Sequence, residues 1–112
     1  MTDSLPTTDN VGRALKYLGE TDEPYARCVA HRDKLKEDKS RILAIAKVAS
    51  GEKSDAAKTT EALASDEYGL WLKDYEDAVY ELELFKAHRL LATLKIDVWR
   101  SLNSARNKGQ IV

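Results

Sequence analysis

The chain has 112 residues, with 18 basic and 19 acidic side chains, a net charge of −1 and 43% apolar residues. That length suits one domain with a modest core, and near-neutrality excludes both a uniformly basic nucleic-acid coat and an acidic disordered tail. A single cysteine, Cys28, excludes an intrachain disulfide and points to a reducing compartment.

The N-terminal MTDSLPTTD lacks the hydrophobic core of a signal peptide, and no apolar run approaches membrane-spanning length. A cytoplasmic protein with no membrane partner is expected, in the host cell cytoplasm if a phage encodes it. Residues 1–8, with Pro6 and little to bury, read as a flexible lead. Thr8 or Asp9 then caps a short helix over about 9–18, whose Val11, Ala14, Leu15 and Leu18 share a stripe, and Gly19 ends it. Thr21 or Asp22 opens a second helix over about 22–49, with Pro24 tolerated in its first turn and Ser50-Gly51 as its stop. Ser54 caps a third, short helix over about 55–64.

Ser65 then caps the longest element, over about 66–107, with Asp66 and Glu67 at its positive end, Arg106 and Lys108 at its negative end and Gly109 as its stop. It holds no proline, and Tyr68, Trp71, Tyr75, Ala78, Leu82 and Phe85 recur at a 3-4 spacing that keeps one side apolar. At 1.5 Å per residue such a helix is about 60 Å long. The fold class expected is all-α: a long antiparallel helical hairpin with a short N-terminal helix, a single helical domain over 9–112, assembling into a homo-oligomer.

Charge is sorted along the chain. Residues 25–58 carry 9 basic and 5 acidic groups, 59–85 carry 1 and 8, and 86–112 carry 6 and 1. Antiparallel packing of the second helix on the long one sets the first two blocks together. With Ala49 facing Tyr68, Ile42 faces Tyr75 and Leu35 faces Leu82, which places Arg32 and Lys39 beside Asp74, Asp77 and Glu81. In that register the segment after about Leu94 overhangs, and only the first helix can cover part of it. A second apolar stripe, Leu84, Leu91, Leu94, Val98 and Leu102, lies on a different side from Phe85, Ala92, Ile96 and Trp99. Two stripes need two neighbours, and the second is expected to be the interface between copies of the chain.

No Gly-rich phosphate loop, nucleophile elbow or HExxH is present, so no enzyme, cofactor or catalytic residue is expected. The acids Asp74, Asp77 and Glu81 share a face, but facing cations account for them better than a metal does. Cys28 and His31, with His88 brought to their level, supply three potential zinc ligands where a structural site needs four. The expectation is therefore a buried thiol and two partly exposed imidazoles, and no metal. Tyr68, Trp71 and Tyr75 sit at core spacing. Trp99 and Arg100 differ, because Lys95, Arg106 and Lys108 surround them in a segment with one acid, and an aromatic in a basic groove is what single-strand binding needs. Around the turn, Lys47, Lys53 and Lys58 are further candidates, since a modest basic cluster repeated by symmetry becomes a continuous track.

A basic helix ending at Ser50-Gly51, EALASDEY opening a long helix, and WRSLNSARNKG closing it form a pattern that resembles the UvsY-type recombination mediators of tailed phages, over roughly residues 25–110. The resemblance implies a small helical oligomer that binds single-stranded DNA and helps to load a RecA-like recombinase in place of single-strand binding protein. The family's DNA-contacting basic residues, late in the helix before the Ser-Gly turn, correspond here to Lys47, and Ala49 stands where a second basic residue is expected. The function expected is thus a single-stranded-DNA-binding accessory protein of phage recombination or replication. The alternative is a structural, adaptor or host-factor-binding helical protein.

Overall fold

Residues 6–111 are described by a computed structural model of the chain. They form α1 (Thr8–Val48), α2 (Asp55–Leu63) and α3 (Asp66–Ile111), with no strand among the described residues. The all-α expectation holds. None of these helices is long and apolar enough to cross a membrane.

The first helix departs from the expected pair over 9–18 and 22–49, because it is continuous through Gly19 and Pro24. Its cap is Thr7, whose hydroxyl accepts from the amide of Asn10 at 3.2 Å, rather than Thr8 or Asp9. Residues 1–5 of the expected lead lie outside the described residues. A proline inside a helix forfeits one backbone hydrogen bond. Here the turn before Pro24 has other support: the Thr21 hydroxyl donates to the Tyr17 carbonyl at 2.7 Å, and Arg89 donates to the Leu18 carbonyl at 3.1 Å. Tertiary contacts override a breaker that is only local.

The later boundaries, up to the start of α3, are local and match the expected ones to within a residue. After Val48 the amide of Ala49 still bonds the Ile45 carbonyl, and Ser50 turns the chain by accepting from the amide of Glu52 and donating to the Glu61 carboxylate at 2.6 Å. Ser54, in extended backbone, caps α2 through the amide of Ala57. Ser65 caps α3 through the amide of Tyr68 at 3.2 Å. At the far end α3 runs past Gly109, which stays helical and does not act as the stop.

The contacts fall into two compact units. One comprises residues 26–83. There α1 and α3 run antiparallel, and Ala62, Trp71, Ala78 and Leu82 are buried, Leu82 completely. The Trp71 indole donates to the Leu35 carbonyl at 2.7 Å, and its ring stacks on Tyr75 with centroids 5.3 Å apart. Cys28 and His31 lie against Ala78 and Glu81. Leu35 therefore meets Trp71 rather than Leu82, a register offset by about three helical turns from the expected one. The offset leaves the end of α1 to α2, which is tied to it by Lys47–Asp55 at 2.8 Å and by Ser50–Glu61.

The expected pairing of Arg32 with acids of α3 is not seen among the described residues. Arg32 pairs with its neighbour Asp33, Lys34 and Arg41 both reach Asp38, and Asp77 pairs with Lys73, all within one helix. Exposed pairs of this type contribute a few tenths of a kcal/mol each, roughly 0.3–0.5.

The second unit joins the described residues up to Tyr25 with those from Leu84 onward. Val11, Ala14 and Ala92 form its buried centre. Tyr25 meets Phe85 edge to face at 6.3 Å, and the Arg89 guanidinium lies over the Tyr25 ring at 4.9 Å. Arg89 also donates to the Thr21 hydroxyl and to Asp22, both at 2.6 Å. The segment expected to overhang is thus covered, as far as Arg106, by the first turns of α1: Thr7 and Thr8 line a groove with Trp99, Leu102, Asn103 and Arg106.

Candidate nucleic-acid interface

The basic side chains singled out by sequence fall into two groups, one in each unit. Around the turn, Lys47 and Lys58 line a shallow groove with Ala44, Val48 and Asp55. Lys47 is bound to Asp55, and that hydrogen bond and charge hold the Asp55 carboxyl below its ordinary range. The residue carried over from the family pattern therefore already has an acidic partner. Lys53 is exposed in the turn.

In the unit that contains the end of α3, Lys95, Trp99 and Arg106 line two successive grooves. One, of about 220 Å³, is walled by Asn10, Arg13, Ala14 and Tyr17 of α1 and by His88, Leu91, Ala92 and Lys95 of α3. The other, of about 280 Å³, holds Trp99, Leu102, Asn103 and Arg106 against Pro6, Thr7 and Thr8. Neither lining includes a carboxylate. Trp99 is half-buried in the seam, which leaves less of its ring for stacking than the sequence implies. Arg100 and Lys108 are exposed and line neither groove.

Sequence reasoning did not select Asn10, Arg13 and Tyr17. Their spacing of three and four residues along α1 puts them on one helical face. What hid them was the assumed register, which did not place that face beside His88 and Lys95.

The second apolar stripe of α3 is open. Leu84, Leu91, Leu94, Val98 and Leu102 are between 39% and 51% exposed, and Leu90 beside them is 59% exposed. Core positions on the same helix sit elsewhere: Ala92 is buried, and Phe85, Arg89, Ile96 and Trp99 are half-buried. The two stripes therefore occupy separate faces of α3.

The potential metal ligands are divided between the units. Cys28 and His31 share a groove with Arg27, Ala78 and Glu81, whereas His88 lines the groove with Arg13 and Lys95. Among the described residues no three His, Cys, Asp or Glu side chains are placed to hold a metal ion. Burial raises the pKa of the Cys28 thiol, and the charge and hydrogen bonding of Glu81 raise it further. Comparison of the chain with protein-family models, with curated proteins and with solved structures returns no match.

Proposed function

We propose that the chain is a non-enzymatic accessory protein of phage recombination or replication that works as a homo-oligomer and holds single-stranded DNA. Copies join through the leucine stripe of α3, and the partners are single-stranded DNA and a RecA-like recombinase or single-strand binding protein. The observation that carries the reading is the open stripe itself. Five large apolar side chains recur over Leu84–Leu102 on a face distinct from the core seam, which is the pattern of a second helix–helix interface. The carboxylate-free grooves beside Lys95 and Arg106 supply the cationic surface, and assembly multiplies it.

Sedimentation of Leu91→Glu/Val98→Glu tests the assembly. The double variant is expected to be monomeric with unchanged helicity, and an assembly of unchanged mass would refute the interface. A mobility shift with single-stranded DNA at low salt tests the ligand. Binding is expected to weaken steeply as salt rises; absence of any shift with the intact assembly would refute DNA binding. The paired state of Lys47 and the half-buried Trp99 favour a second reading, a structural or adaptor protein whose stripe receives a different helical partner. In that case the shift is absent.

A further inference from the structure

Several basic side chains of this molecule are matched by acids: Lys16 with Glu20, Arg32 with Asp33, Lys34 and Arg41 with Asp38, Lys47 with Asp55, Lys73 with Asp77 and Arg89 with Asp22. The groove between the start of α1 and residues 88–95 of α3 is different in that its cations converge on one cavity. It gathers Arg13, His88 and Lys95 around about 220 Å³ with no carboxylate in its lining. Among the described residues, no hydrogen bond or ion pair joins the side chain of His88 or Lys95 to a neighbour. Arg13 is held in place, since its guanidinium donates to the Asn10 carboxamide oxygen at 2.5 Å. A cation anchored by a neutral acceptor keeps its full charge, and its remaining N–H groups are free to meet an anion.

The rest of the lining is not polar. Tyr17, half-buried like Trp99, forms one wall, and Ala14 and Ala92 supply an apolar floor, while Leu91, also in the lining, belongs to the stripe proposed to join copies. Cations on both walls of a groove that also holds an aromatic ring and apolar surface suit a phosphodiester whose base leaves water to lie on a side chain. We infer that this groove is a binding site for single-stranded nucleic acid, with Arg13 and Lys95 on successive phosphates, His88 as a further donor and Tyr17 as the stacking surface. The inference rests on the single-strand reading above and names the residues that would carry it, Arg13, Tyr17 and His88 being additional to the basic side chains already considered.

The test is fluorescence anisotropy of a labelled oligo-dT of about 16 nucleotides with the intact protein, titrated at salt concentrations from about 50 to about 200 mM. Arg13→Gln/Lys95→Gln is expected to weaken binding roughly tenfold or more and to lower the slope of log affinity against log salt by about 1.4, the loss of two single-strand phosphate contacts. Tyr17→Leu is expected to weaken binding while leaving the salt slope unchanged. Lys73→Gln, on an exposed pair in the other unit, keeps wild-type affinity. Sedimentation and circular dichroism establish that each variant retains its assembly and helicity. If the wild type binds and Arg13→Gln/Lys95→Gln binds equally well with the same slope, the groove is not the site, although the single-strand reading stands. If the wild type does not bind at low salt, that reading fails and the groove fails with it. Equal affinity for a duplex of the same length would overturn the single-strand assignment.

Discussion

Arg89 shows how a single side chain can specify a helix pair. It sits in the α3 seam where an aliphatic residue is usual, and its guanidinium satisfies the Leu18 carbonyl, the Thr21 hydroxyl and Asp22 while lying over Tyr25. No other register along α1 offers that set. Cys28 carries a residue-scale prediction of its own. Burial first, and Glu81 second, keep its thiol protonated beyond the ordinary range, so alkylation at mildly alkaline pH should be slower in the native protein than in the unfolded chain. Glu81→Gln removes the charge and the accepting carboxylate and should speed the native reaction; an unchanged or slower rate would contradict the contact. The sign for stability follows from the raised value. The contribution is fully present below the unfolded thiol's pKa and is lost as pH rises through the folded one.

At the scale of elements, the continuity of α1 makes Gly19 a mid-helix residue rather than a stop. No described glycine has a positive φ, and a methyl group added at Gly19 meets nothing within 4 Å. Gly19→Ala should therefore stabilise the fold by about 0.5–1 kcal/mol, read as a rise in denaturation midpoint. A loss of stability would restore the expected break between two helices. Much of the element plan was legible, because Ser54, Ser65 and the Ser50-Gly51 turn act through bonds made within a few residues. The long seam was also legible as a face, from Tyr68 and Trp71 through Leu82 to Phe85.

The register was not legible, for a physical reason. A 3-4 repeat looks much the same after a slide of 11 residues, a heptad and one further turn, so apolar spacing alone cannot distinguish Leu35 opposite Leu82 from Leu35 opposite Trp71. What separates them is specific polar contact, the Trp71 indole on the Leu35 carbonyl and Arg89 on Thr21, together with α2 occupying the end of α1. The candidate site was hidden by the same ambiguity. Lys95 and Arg106 could be named from their basic segment, but Arg13 and Tyr17 became neighbours of Lys95 only in the true register.

For the whole molecule, the open α3 stripe is the dominant fact, since a row of large apolar residues on one helix face is costly to leave in water. Each side chain fully covered contributes about 1.5–3 kcal/mol, and partial exposure scales that down. We propose that a second copy covers the stripe. The most direct measurement is the native mass of the assembly at micromolar concentration, with and without single-stranded DNA. The prediction is a whole-number multiple of the 12.6 kDa chain in the absence of DNA, with DNA adding its mass to the assembled species. A protein that stays at 12.6 kDa across that range, with DNA or without it, would contradict the claim.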